Sequence, residues 1–244
     1  LERHDNFNSK QINRDLVLNG IHCIGNKPEK KKDNDEYMRL SGQVKAWNIL
    51  TSHRIQKEAF RRAMLVKANI LPINLEMAPT NEMRKICKTL SPFACCIVPE
   101  KRSELTTEGG LDVKNNLSNL ESILFEIKQK KQIRTSLFIE PDMNQIKLAK
   151  KLGVNAIEIH TGKYSNLFEI GKYNTELKKI TEAANFAHKL GLEVHAGHGL
   201  NLRNVKNIID IKSISELNIG YSIVAQSIFS GLKNVIEMYK KMMN

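Results

Sequence analysis

Short apolar runs alternate with segments of helical periodicity from residue 70 onward. Apolar side chains that recur every three or four positions predict an amphipathic helix, and a short apolar run bounded by turn residues predicts a buried strand. Six runs of the second kind predict strands at residues 73–77, 93–98, 135–139, 156–160, 193–196 and 216–219. Strands that alternate with helices are typical of parallel βα units.

The helices between these strands have recognisable ends. Asp142 is predicted to cap the N terminus of one helix, with Gln145 as its partner in a capping box, and Gly153 is predicted to end it. Further helices are predicted at residues 174–190 and 232–243.

Two more βα units within residues 1–70 would give eight, so the sequence predicts a TIM (β/α)8 barrel that occupies residues 1–244 as a single domain. The first 70 residues are atypical: residues 16–18 followed by residues 21–24 look like a strand, residues 47–50 are a weaker strand candidate, and residues 55–66 are a helix candidate. A doubly wound α/β sheet is the alternative. It is disfavoured because no glycine-rich dinucleotide-binding sequence follows a predicted strand.

The composition is that of a globular protein. Of the 244 residues 41% are hydrophobic, and no run approaches the roughly 18 apolar residues of a membrane span. No charged segment followed by an apolar one opens the sequence, so we expect a cytoplasmic protein. The four cysteines lack the spacing of a metal site and are expected to be small buried side chains. Adjacent Cys95 and Cys96 would point to opposite faces of a strand.

The formal net charge of +12 raises the question of a nucleic-acid partner. The basic runs at residues 30–32 and 128–131 lack interleaved aromatic residues, which favours a solvated surface. We therefore expect neither a nucleic-acid nor a membrane partner. A positive field also favours small anionic substrates, phosphates in particular.

Three predicted strands carry a carboxylate among apolar neighbours: Glu76, Glu158 and Glu216. An ionised carboxylate inside a barrel is costly unless it is paired or its pKa moves, and such costs are usually tolerated at functional sites. The alternative is a glutamate at a strand end that faces solvent or forms a salt bridge. The sequence favours function for Glu76 and Glu158 and leaves both interpretations open for Glu216.

The segment "EVHAGHGLN" places His195 and His198 at the end of a strand, with a glycine on each side of His198. A histidine there can exchange protons near neutral pH. Gly220 lies where the next strand gives way to a helix, and the loops after the last two strands of TIM barrels often bind phosphate. A zinc site formed by His160, His195, His198 and two glutamates is a further hypothesis.

Several segments, read in order, resemble one family of TIM-barrel enzymes, the pyridoxine 5′-phosphate synthases that close the pyridine ring of vitamin B6. The resemblance runs from about residue 71 to the C terminus and is most specific in residues 98–113 and 196–201. The matching segments are "INLEMAPTNEM", "VPEKRSELTTEGGLDV", "TSLFIEPD", "AIEIHTGKY", "EVHAGHGLNLRNV" and "ELNIGYSIVAQSIFSGL".

The resemblance implies condensation of 1-deoxy-D-xylulose 5-phosphate with 3-amino-2-oxopropyl phosphate to give pyridoxine 5′-phosphate, phosphate and water. It implies no cofactor and no metal, small phosphorylated substrates, and a homo-oligomer, commonly an octamer, with the helix at 232–243 as a candidate contact. Glu76 matches a catalytic acid/base, Glu158 a residue that stabilises the transition state, and His198 a proton donor. Substrate contacts are implied for Thr106, Gly199, Gly220 and Tyr221.

The resemblance stops before residue 71. The family's first two strands end in Asn-x-Asp-His and His-x-Arg-Glu-Asp-Arg-Arg-His, and residues 1–70 contain neither motif. No functional residue is therefore carried over to that segment. Two alternatives stay open: a catalytically impaired barrel of the same family that binds phosphorylated ligands, and a metal-dependent lyase or aldolase.

Overall fold

The computed structural model describes residues 72–99, 109–129 and 133–243, together with the backbone of residues 23–24. The strands are β1 (Cys23–Ile24), β2 (Asn74–Met77), β3 (Ala94–Ile97), β4 (Arg134–Ile139), β5 (Ala156–His160), β6 (Glu193–Gly197) and β7 (Glu216–Ile219). The helices are α1 (Asn81–Leu90), α2 (Leu117–Lys128), α3 (Met143–Lys151), α4 (Gly162–Glu169), α5 (Asn174–Lys189), α6 (Val205–Ile209), α7 (Tyr221–Ser230) and α8 (Leu232–Met243). All six strands predicted after residue 70 are confirmed, each within one residue at either end. None of the helices in these ranges is both long and apolar enough to cross a bilayer.

Strands β2 to β7 lie side by side in chain order, and each neighbouring pair is parallel. A doubly wound sheet would reverse its strand order at a switch point. Because these six strands show no reversal, the doubly wound alternative is wrong. The observed architecture is a curled parallel half-barrel with its helices in the connections.

Strand β1 lies at the outer edge of β7 and pairs with it antiparallel, Cys23 opposite Ile219. This differs from the parallel βα unit predicted for that segment. The exposed edge of a sheet offers N–H and C=O groups that a segment can pair with in either direction. The strand and helix candidates at 47–50 and 55–66 lie outside the described residues.

The two faces of the sheet differ in chemistry because successive side chains on a strand alternate in direction. One set packs against the helices and forms the hydrophobic core, with Leu75, Met77, Cys95, Ile97, Leu137, Ile139, Ile157, Ile159, Val194, Ala196, Leu217 and Ile219 as members. The alternate set, which we call the inner face, is largely polar: Asn74, Glu76, Cys96, Ser136, Phe138, Glu158, His160, His195, Glu216 and Asn218. The predicted separation of Cys95 from Cys96 is confirmed.

The structure confirms Asp142 as the N-cap of α3 but not the capping box predicted with Gln145. The Asp142 side chain accepts hydrogen bonds from the backbone N–H groups of Asn144 and Gln145, at 2.8 and 2.9 Å. Gln145 does not complete a capping box. Its side-chain oxygen instead accepts the Val113 N–H at 2.9 Å, which satisfies a backbone group of the segment before α2.

Candidate active site

Three polar side chains meet where β4, β5 and β6 end. Glu140 directly follows β4, His160 is the last residue of β5, and His198 directly follows β6. Parallel neighbours bring their carboxyl ends to one edge of a sheet, and the register sets His160 opposite Gly197. The Nδ1 atom of His160 lies 2.7 Å from Oε1 of Glu140, and the His160 and His198 rings meet edge to face at 4.8 Å.

The dyad of Glu140 and His160 is almost completely removed from solvent. The side chains are 6% and 7% exposed, respectively, and the Phe138 ring packs edge-on against His160 at 5.0 Å. Burial of a carboxylate is tolerated only when hydrogen bonds replace its water. Glu140 has two such bonds, since Oε1 also accepts the Gly110 N–H at 2.8 Å.

Two glycines are required for this close packing. A Cβ atom at Gly162 would lie 2.7 Å from Nε2 of His160 and 2.8 Å from Cδ2 of His198. A Cβ atom at Gly197 would overlap Oε1 of Glu158. Both positions therefore exclude every larger residue unless the functional side chains move.

His198 lies in the left-handed region of backbone conformation, with φ of 84°, which is uncommon for a residue with a side chain. The Thr161 hydroxyl holds the turn, at 2.6 Å from the carbonyl oxygen of His198. Burial lowers the pKa of His198 below its usual value, and the nearby His160 adds to that shift, while Glu158 and Glu140 oppose it. The imidazolium of His198 is therefore a stronger acid than a free histidine.

Glu76 and Glu158 share the inner face, as the sequence indicated. Glu158 is 4% exposed, and the Cys96 thiol donates to its Oε2 at 3.5 Å. Cys96 is also the register partner of Glu76 on the adjacent strand. The half-buried Glu76 and the buried Glu158 thus lie on either side of one thiol.

The substrate contacts implied by resemblance are only partly visible. Thr106 lies outside the described residues. Gly199 has φ of 75° and packs against Ser165, where a Cβ atom would come within 2.7 Å of the Ser165 Cβ. Gly220 is buried between β7 and α7, and the Tyr221 side chain that follows it is 85% exposed.

The proposed convergence of three histidines does not occur. His160 and His198 are neighbours, but His195 faces Glu193 and Glu216 toward the N-terminal ends of the strands, with Nε2 and Nδ1 at 3.2 and 3.3 Å from their respective carboxylates. The strand register explains this separation. His195 lies opposite Glu216, whereas His160 lies opposite Gly197, which is two residues further toward the carboxyl end of β6. Within the described ranges, the residues spaced to hold a metal ion are Glu193, His195 and Glu216.

Sequence reasoning missed Glu140, although "FIEPD" places a carboxylate directly after the last residue of a predicted strand. It also missed the contribution of Phe138 to the packing of His160. The sequence pattern did not single out Glu140, because this residue lies between the last apolar residue of the strand and a proline, where a charged side chain normally faces solvent.

Comparison with known proteins gives a consistent result. A family model described as "Pyridoxal phosphate biosynthesis protein PdxJ" matches residues 53–244. A protein of Blochmanniella pennsylvanica named "Pyridoxine 5'-phosphate synthase" is 46% identical over 179 residues, which cover 73% of each chain. Proteins with the same name from a Sulfurihydrogenibium species and from Coxiella burnetii are 46% and 45% identical, over 78% and 70% of this chain and 77% and 70% of their own.

Proposed function

This chain belongs to the pyridoxal phosphate biosynthesis protein PdxJ family, and we propose that it is a pyridoxine 5′-phosphate synthase of vitamin B6 biosynthesis. Its substrates would be 1-deoxy-D-xylulose 5-phosphate and 3-amino-2-oxopropyl phosphate, and its products pyridoxine 5′-phosphate, phosphate and water. The observation that carries the proposal is the identity of 45–46% to proteins of that name over at least 70% of both chains.

The inner face offers the groups that this reaction needs. An amine must condense with a ketone, a phosphate must leave, and the ring must close, so protons move several times. We assign Glu76 as the general acid/base, Glu158 as the carboxylate that stabilises cationic character in the transition state, and His198 as the proton donor. The half-buried Glu76 and buried Glu158 on one face, and the lowered pKa of His198 at its edge, support these roles.

Phosphate recognition is assigned to the loops at the same edge of the sheet. Gly199 and Gly220 follow the adjacent strands β6 and β7, and Gly220 precedes the first turn of α7, whose N–H groups favour an anion. Tyr221 at the start of α7 would contact the aminoketone phosphate, and Thr106 the deoxyxylulose phosphate. The positive net charge would draw both substrates toward the protein.

The same proposal includes a closed TIM barrel. Six parallel strands in chain order are three quarters of such a barrel, and residues 1–70 have about the length of two βα units. A cytoplasmic homo-oligomer is part of the proposal.

One alternative has an observation in its favour. The two N-terminal motifs of the family are missing from residues 1–70, and in the family those residues bind both substrates and supply a catalytic base. A barrel without them would bind phosphorylated ligands and turn over slowly or not at all.

A direct assay separates the two candidates. Purified protein is mixed with both substrates, and pyridoxine 5′-phosphate is followed by its fluorescence beside an authentic synthase. Turnover supports the synthase. Absence of product from a folded protein that still binds either substrate in calorimetry supports the impaired barrel and overturns the proposal.

A further inference from the structure

The Glu140 carboxylate forms hydrogen bonds both to the segment after β3 and to the end of β5. Its Oε1 atom accepts the Gly110 N–H at 2.8 Å and lies 2.7 Å from Nδ1 of His160. Gly110 lies in the connection between β3 and α2, and His160 is the last residue of β5. Glu140 itself begins the connection after β4, so one carboxylate links three successive units of the sheet.

The contacts around Glu140 leave little freedom. A Cβ atom at Gly110 would lie 2.7 Å from the Glu140 backbone nitrogen, and the Leu111 N–H donates to the Phe138 carbonyl oxygen at 2.8 Å. Gly109 approaches the His160 ring, where its Cβ would come within 3.2 Å of Cε1. Gly109 and Gly110 therefore pack closely against His160 and Glu140, and the hydrogen bond to Glu140 holds Gly110 in place.

The hydrogen bond to Glu140 assigns the tautomer of His160. The Gly110 N–H can only donate, so Oε1 acts as an acceptor, and the same oxygen is placed to accept a hydrogen bond from Nδ1–H of His160. In the Nδ1–H tautomer the lone pair of the ring lies on Nε2. This atom points away from Glu140 toward Gly162, where the His198 ring also lies.

We infer that Glu140 is a positioning residue for the condensation: it fixes the tautomer and orientation of the His160 ring beside His198, and it holds Gly110, which follows Thr106 by four residues in the sequence. The inference deepens the proposed function and rests on it. Glu140 touches no reacting atom in this role and acts through His160 and Gly110. Carboxylates that orient metal-binding histidines typically contribute about 10- to 100-fold to activity, and we expect an effect of the same order here.

Three variants separate the two tasks of Glu140. Glu140→Ala removes the acceptor for both donors, so we expect kcat to fall about 10- to 100-fold and KM for 1-deoxy-D-xylulose 5-phosphate to rise several-fold. Glu140→Gln keeps an oxygen for the Gly110 N–H, so KM should stay within about two-fold while kcat falls less than in the alanine variant. His160→Asn keeps a donor for Glu140 but removes the ring nitrogen that faces His198, so kcat should fall with KM unchanged.

A readout that needs no substrate tests the inference if the wild-type protein makes no product. Nitrogen-15 NMR of the histidine rings should show His160 as the Nδ1–H tautomer in the wild-type protein and a shift toward Nε2–H in Glu140→Ala. An Nε2–H tautomer in the wild-type protein would overturn the inference. So would Glu140→Ala and Glu140→Gln variants that lose thermal stability but retain wild-type kcat and KM, since Glu140 would then be structural only.

Discussion

Two groups of ionisable side chains lie near opposite ends of the strands. Glu140, His160 and His198 lie at the carboxyl ends, while Glu193, His195 and Glu216 lie near the amino ends. Active sites of parallel α/β barrels lie at the carboxyl ends, and residues at the other end serve stability. We therefore interpret the second group as an ion-pair cluster that stabilises the sheet.

Within that cluster, the hydrogen bond from His195 lowers the pKa of Glu193 to about 2, against the effect of burial, and Arg134 contributes in the same direction. The ordinary value is 4.5, so Glu193 in the folded protein holds its charge at pH values where the unfolded chain is protonated. Its stabilisation is complete above about pH 4.5 and is lost as the pH falls toward 2.

Glu193→Gln is expected to lower the free energy of unfolding at pH 6 by about 1–3 kcal/mol, because it removes the negative charge beside His195 and Arg134 and replaces one of the two acceptor oxygens with an NH2 group. Between pH 4.5 and 2 the variant should lose less further stability than the wild-type protein. Urea unfolding at pH 6 and at pH 3 measures both. Glu121→Gln, at an exposed position of α2, is the control, and an identical pH dependence in Glu193→Gln and wild type would contradict the assignment.

At the scale of elements, the spacing of apolar residues and the positions of capping and turn residues were sufficient to predict the six strands and the helices α3, α5 and α8. The alternation that separates Cys95 from Cys96 follows from strand geometry alone. The partners of Glu140 and Gln145 did not follow, because Gly110 and Val113 lie 30 and 32 residues away and come close only once β3 and β4 have paired. The Gln145 side chain accepts the long-range Val113 N–H, and the Asp142 N–H, which a capping box would satisfy, donates to the Glu140 carbonyl oxygen instead.

The start of α3 gives a prediction at this scale. Asp142→Ala removes the acceptor for the N–H groups of Asn144 and Gln145, and we expect the free energy of unfolding to fall by about 0.5–2 kcal/mol. Asp142→Asn keeps an oxygen that can cap the helix, so the free energy of unfolding should fall by only a few tenths of a kcal/mol. Thermal or urea denaturation of the two variants measures the difference. Equal loss in both would show that the charge of Asp142 matters rather than its cap geometry.

At the scale of the whole molecule, α7 and α8 pack against each other beside β7 but differ in what they expose. Helix α8 buries Val235, Tyr239 and Met243 within the chain and leaves Met238 43% exposed. Helix α7 leaves Ile228 and Phe229 exposed, at 77% and 86%. Adjacent exposed apolar side chains of this size are typical of contact surfaces. We therefore propose the end of α7 as a candidate contact of the proposed homo-oligomer, in addition to the predicted helix at 232–243.

Phe229→Asp should weaken that contact, because assembly would bury a charge in an apolar surface. We expect sedimentation velocity to show a smaller species than the wild-type protein at the same concentration, with helix content and cooperative unfolding retained. Phe125→Asp, at a phenylalanine of α2 that is 69% exposed, is the matched control and should leave the assembly unchanged. If the wild-type protein is an oligomer and Phe229→Asp keeps its mass, α7 is not the contact. A dissociated variant with normal substrate affinity would further show that the loops at the carboxyl ends form their site within one chain.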